Sequence, residues 1–235
     1  PIELGVEDGI ITLLKEEVPH INDPEFSLQW ALADLPNNAD INAAEGWREY
    51  MSDITGGNPN GPTVVVAVID TGVDYNHPDL KDVMWMNTEE IPGNGLDDDG
   101  NGYVDDVYGY DFNYGDADPI DVHSHGTHCA GIIAAKENND VGIAGVANFA
   151  QGKVKIMAVK GLDDNGRSTQ SSLLKSLNYA IANGAEISSN SWGGGRISER
   201  QEQLWDMVLS NNPTHLFVAA SGNSNLHLVC LQIYA

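Results

Sequence analysis

From Thr63 to Ile69 the chain runs through valines, an alanine and an isoleucine with no polar alternation. That pattern belongs to a strand buried on both faces, as in a parallel sheet. Lys155–Lys160, Glu186–Ser191 and His215–Ala220 read as three further strands. Between them the period changes. His125 to about Ala135 reads as a helix with Gly131 on a close-packed face. Ser171–Asn183 carries Leu173, Leu174, Leu177, Ala180 and Ile181 at helical spacing and stops at Asn183-Gly184, and Gln203–Ser210 forms another helix. Strand and helix alternate, which predicts an α/β fold with βαβ units and a parallel sheet. Residues 1–22 carry no clear pattern and read as a leader or linker remnant; within them Ile10–Glu17 is either a helical turn or an extended segment ending at Pro19. Gln29–Leu32 and Ile41–Trp47 read as ordered, the second as a short helix capped by Asp40, before a Gly/Asn/Pro loop ending at Pro62.

Composition narrows the function classes. Against 35 Asp and Glu stand 11 Lys and Arg, a formal net charge of −24, which repels nucleic acid and anionic membranes and favours cations. A hydrophobic content of 41% argues against disorder. The acid is uneven: from Asp82 to Ala135 there is no Lys or Arg at all. Cys129 and Cys230 make no disulfide framework, and no apolar run approaches the ~20 residues of a membrane span. The chain opens on Pro1, so a missing signal peptide says little about localisation.

Two positions carry the chemistry. Asp70 sits at the carboxyl end of the first core strand, where open α/β folds keep their sites, although Asp-Thr-Gly is also good turn chemistry. His125 opens a helix. Together they suit an orienting carboxylate and a general base, two thirds of an Asp…His…Ser arrangement. Val66–Leu80 and His125–Gly131 resemble the Asp and His blocks of the subtilisin-like serine proteases. The resemblance implies a three-layer, mostly parallel sheet with helices on both faces, and makes Asp70 and His125 the catalytic pair. His128 falls on a structural histidine of that block. Cys129 resembles the cysteine that a subset of the family carries beside its catalytic histidine, and reads here as a small buried apolar residue.

Later segments extend the likeness. Gly166, Arg167 and Ser168 resemble the edge that pairs with the substrate backbone, and Ser191, Trp192 and Gly193 the lining of the pocket for the side chain before the scissile bond. Asn223, in Ala219–Asn223, falls on the amide that donates to the oxyanion. The match runs from Asp23 to about Asn223. Residues 224–235 diverge, and the block with the nucleophilic serine is missing from the sequence. The expectation is therefore a partial peptidase domain over 23–235, C-terminally incomplete and inactive by itself, from a secreted or vesicular serine endopeptidase acting on protein or peptide substrates. The alternative is a non-catalytic peptide- or calcium-binding short form.

The acidic run adds a cofactor. In Asp97–Asp106, Asp97, Asp99, Asn101 and Asp105 place side-chain oxygens near alternate positions, Tyr103 offers a carbonyl and Gly102 a turn, which suits Ca²⁺. Tyr108 stands where an EF-hand has its glutamate, so the stretch resembles instead a calcium-loop insertion of some subtilisin-like proteases. The resemblance implies a second calcium site, with Asp79 and Asn139 as side-chain ligands, carbonyls of Glu137, Val141 and Ile143, and Asp23 as the N-terminal ligand.

Overall fold

The computed structural model describes residues 4–7, 10–13, 21–32, 40–43, 45–47, 62–147, 153–194 and 197–223. Besides a 3₁₀ turn at Phe26–Leu28, seven strands and three longer helices organise them: β1 (Leu4–Glu7), β2 (Ile10–Leu13), β3 (Val64–Asp70), β4 (Gly109–Asp111), α1 (His125–Ala134), β5 (Val154–Lys160), α2 (Gln170–Ala182), β6 (Ile187–Asn190), α3 (Glu199–Asn211) and β7 (Leu216–Ala219). β1 and β2 form an antiparallel hairpin with Leu4 opposite Leu13, so residues 10–13 take the extended alternative. The other five strands form one parallel sheet in the order β4-β5-β3-β6-β7. Residues 224–235, with Cys230, lie outside the described residues, as does most of the loop before Pro62.

The central strands divide their side chains between two faces, as the period of a strand requires. Ala67 and Ile69 of β3 and Met157 and Val159 of β5 pack with Leu173, Leu177 and Ala180 of α2 and Trp205 and Val208 of α3. Val66, Val68, Ile156 and Ala158 face the other way, onto Ala130 and Ala134 of α1 with Leu80 and Val83. The result is three layers, helix–sheet–helix. α2 starts on Thr169, whose hydroxyl accepts from Ser172 N, and α3 on a reciprocal cap between Ser198 and Gln201. That cap starts α3 at Glu199, earlier than its apolar stripe suggests. β4 has no counterpart in the hydrophobic pattern: it has three residues, and Gly109 lies so close to β5 that a Cβ there would meet the Ala158 carbonyl oxygen at 1.7 Å. All five parallel strands point the same way, so Asp70, Asp111, Lys160 and Asn190 end together at the carboxyl end of the sheet.

Candidate active site

Asp70 is 1% exposed at the end of β3. Its Oδ1 accepts from Thr71 N at 2.7 Å and lies 2.7 Å from Nδ1 of His125, the first residue of α1. A carboxylate oxygen only accepts, so Nδ1 carries the proton and Nε2 keeps a free lone pair. The imidazole is 46% exposed, which leaves that lone pair open to a reactant. Oδ2 of Asp70 is buried without a hydrogen-bond partner among the described residues, so the imidazole is the main counterpart of a poorly solvated carboxylate. The two elements meet this closely because residue 126 is glycine. A Cβ there would lie 2.1 Å from the Gly72 carbonyl oxygen and 3.0 Å from Asp70 Cβ.

Asp121, which sequence reasoning passed over, fastens the start of α1. Its Oδ1 accepts from His123 N, Ser124 N and Thr71 Oγ1, and its Oδ2 from Thr127 N and Thr127 Oγ1, at 2.7–3.0 Å. Ser124, the formal cap position, has φ 79° and makes no capping bond with its side chain. Burial pushes the Asp121 carboxyl upward, but the donors from Thr127, His123 and Thr71 outweigh it and hold the group below the usual carboxylate range. Thr71 Oγ1 in turn accepts from Gly126 N at 3.0 Å, closing a circuit from Asp70's neighbour to His125's neighbour. The available signal was an acidic residue just ahead of a helix start.

Gly166, Arg167 and Ser168 are exposed on the turn after β5, which is closed by Asp163 N to Arg167 O at 2.7 Å and Arg167 N to Asp163 Oδ1 at 2.9 Å. Ser168 Oγ donates to Gly161 O. His123 links this turn to the pair: its Nε2 would lie 3.7 Å from a Cβ on Gly166, and its ring is 6.3 Å from that of His125. Ser191 and Trp192 follow β6. The Trp192 indole donates to Ile69 O at 2.8 Å and its ring packs on Trp205 and Phe217, so that side chain faces the core, while Gly193 is exposed with open space beside it. Asn223 lies exposed in the loop after β7. Cys129 is half-buried rather than enclosed, and its thiol lies in one cluster with Asp70 and His125, ligand atoms within 4.8 Å of one another. Burial pushes that thiol up.

Around 97–106 part of the expected set is gathered, with two further acids beside it. Asp97 and Asp99 both accept from Asn101 N, and Asn101 Oδ1 accepts from Tyr103 N. Asp105 turns away to Asn94 N and Gly95 N, and the Tyr103 ring packs against Tyr110, Phe112 and Tyr179. Among the described residues, an acidic trio with mutually close oxygens is Glu90, Asp99 and Asp106, of which Glu90 and Asp106 are buried. Burial pushes Asp106 above the usual range despite donors from Tyr179, Asn101 and Asn87.

Of the second expected set, Asp23, Asp79 and Asn139 are joined by hydrogen bonds through one loop. Asp79 accepts from Asn139 Nδ2 and Ile143 N, Asp23 from the amides of Asn138 and Asn139, and Asn139 Oδ1 from Val141 N. Burial pushes Asp79 up past the opposing effect of Ile143 and Asn139, and Asp23's charge adds to the push; burial and Asp23 also raise Glu137. Acids that resist ionisation together are the donor set a divalent cation relieves.

A model of the Subtilase family matches residues 61–233. Subtilisin-like protease 1 of Plasmodium falciparum is 36% identical over 174 residues, 74% of this chain and 23% of its own length. Thermitase of Thermoactinomyces vulgaris is 34% identical over 203 residues, 86% of this chain and 58% of its own. The halolysin-like extracellular serine protease Nep of Natrialba magadii is 31% identical over 212 residues, 89% of this chain and 32% of its own. The chain spans about a quarter of the length of the first of these relatives.

Proposed function

The chain belongs to the subtilase family, and from that membership we propose that it carries the acid–base half of a serine endopeptidase site. The observation that carries the reading is the 2.7 Å contact between His125 Nδ1 and a buried Asp70, with Nε2 free on the open side. His125 takes the proton of an attacking serine hydroxyl and returns it to the leaving amine, while Asp70 holds the ring and stabilises the imidazolium. Asn223 donates to the oxyanion of the tetrahedral intermediate. The substrate, a protein or peptide, extends along Gly166, Arg167 and Ser168 and seats a side chain beside Ser191, Trp192 and Gly193. The recognised blocks supply no nucleophile, so residues 1–235 alone are without turnover, and activity belongs to the polypeptide that also carries the serine block.

Calcium is the proposed cofactor. Asp23, Asp79, Glu137, Asn139, Val141 and Ile143 would hold one ion. Asp97, Asp99 and Asn101, with Glu90 and Asp106, would hold another, and its charge would neutralise carboxylates in a stretch, Asp82–Ala135, that contains no Lys or Arg. Secretion fits a relative named as extracellular, and no described helix is long and apolar enough to cross a membrane. The net charge of −24 speaks against nucleic acid as a partner. Labelling with a serine-directed phosphonylating reagent tests the activity. The complete polypeptide should label and cleave an unstructured protein, and residues 1–235 should do neither. A complete polypeptide that neither labels nor cleaves contradicts the reading.

A further inference from the structure

Lys160, the last residue of β5, is 2% exposed and stands in register with Asp70 on β3 and Asp111 on β4. An ammonium has three N–H bonds. Here each goes to a different loop of the candidate site: Thr71 O at 3.0 Å, Ile120 O at 3.2 Å and Asp164 Oδ1 at 2.6 Å. Thr71 follows Asp70, and its hydroxyl joins Gly126 to Asp121. Ile120 precedes Asp121, the cap of α1. Asp164 belongs to the turn that presents Gly166, Arg167 and Ser168, and its other oxygen accepts from Tyr114 OH at 3.2 Å. Burying an ammonium costs several kcal/mol unless its donors are met. One cation therefore fixes three loops at once, and only while all three stay in place.

We propose that Lys160 is a positioning residue: through Thr71 and Ile120 it sets the alignment of His125 on Asp70, and through Asp164 it sets the 163–167 turn beside them. It touches neither His125 nor a substrate. Its catalytic meaning rests on the reading of Asp70 and His125 as an acid–base pair. The alignment itself does not.

The test uses residues 1–235 with ¹⁵N-labelled histidine, His125 being assigned from His125→Gln. In the parent chain His125 is the Nδ1-protonated tautomer, with a far-downfield proton from its bond to Asp70. Lys160→Met keeps the length of the side chain and removes the donors. While still melting cooperatively, it should lose most of the downfield signal and populate the Nε2-protonated tautomer. Val208→Ala, a core truncation in α3 away from these loops, should keep the parent spectrum. A folded Lys160→Met with the parent His125 spectrum overturns the proposal, and so does equal loss in Val208→Ala. If Lys160→Met does not fold, Asp164→Ala decides, since Asp164 is 40% exposed and its loss leaves Lys160 its two carbonyl acceptors. A partial loss of the His125 signal supports the proposal and an unchanged signal overturns it. In the complete polypeptide, Lys160→Met should lower kcat by about tenfold to a hundredfold, the scale of a slight misalignment. An inactive parent polypeptide would refute the peptidase reading and leave the spectroscopic result for Lys160 standing.

Discussion

Asp121→Ala should loosen the start of α1 more than its half-exposed position suggests. The carboxylate accepts five hydrogen bonds. His123 and Ser124 are exposed, so water can replace the acceptor for their amides. Thr71 is 1% exposed, and Thr127 N sits in the first turn of α1, where no intrahelical acceptor exists. The half-buried Thr127 hydroxyl, the fifth donor, can rotate; the two shielded donors left short cost about 1–2 kcal/mol each, so the expected loss is about 2–4 kcal/mol. For a domain of this size that is about 5–15 °C in Tm. Asp121→Asn retains one carbonyl oxygen, serves one of the two donors and should lose about half as much. The sign with pH is fixed as well. The folded-state value lies below the ordinary one, so the stabilisation is present above ~3.9 and fades as pH falls through the lower folded value. Urea unfolding at several pH values reads the energy, and amide exchange at Gly126 and Thr127 reads its location. A loss under about 0.5 kcal/mol at neutral pH, the range of an ordinary surface substitution, would refute the capping argument.

Three further outcomes follow from the same contacts. Gly126→Ala puts a Cβ 2.1 Å from the Gly72 carbonyl oxygen, so α1 must move off β3 and the downfield His125–Asp70 proton should disappear; a retained signal contradicts the steric argument. Tyr179→Phe removes a 2.6 Å hydrogen bond to the buried Asp106 and should cost about 1–3 kcal/mol in urea unfolding, with values near zero counting against a role for that bond. Asp79, Glu137 and Asp106 have raised values, so the folded state binds protons the unfolded state releases. Calcium-free protein should therefore gain stability as pH falls from 7 toward the ordinary carboxylate range, while calcium-loaded protein loses it as protons displace the ion. Parallel Tm curves with and without chelator would contradict the calcium reading.

The sheet and its helices are legible in the sequence because Val64–Asp70 and Val154–Lys160 are long apolar runs and α2 has an unbroken stripe. Asp70 and His125 are legible because each sits at the terminus of such an element. What escapes is held by long-range contacts. Asp121 acquires its role from Thr71, fifty positions away in the chain. Lys160 reads as an ordinary strand end until two distant carbonyls close on it. β4 has no apolar signature and exists because Gly109 permits close approach to β5. The placement of the Trp192 ring also escapes, since it is set by the indole N–H bonding Ile69 O, more than a hundred positions away in the chain. In the acidic loop the spacing of carboxylates is visible, but the turn that draws Asp105 to Asn94 and Gly95 and leaves Glu90 and Asp106 beside Asp99 is not.

The peptidase reading of this site depends on His125, oriented by Asp70, being the general base of a serine peptidase. The deciding quantity is kcat on a peptide substrate for the complete polypeptide and its His125→Ala variant, both shown to be folded. The expected loss is ~10⁶, a magnitude already known from subtilisin, a member of this same family, with serine-directed labelling lost in parallel. Turnover by His125→Ala within tenfold of the parent would contradict that role.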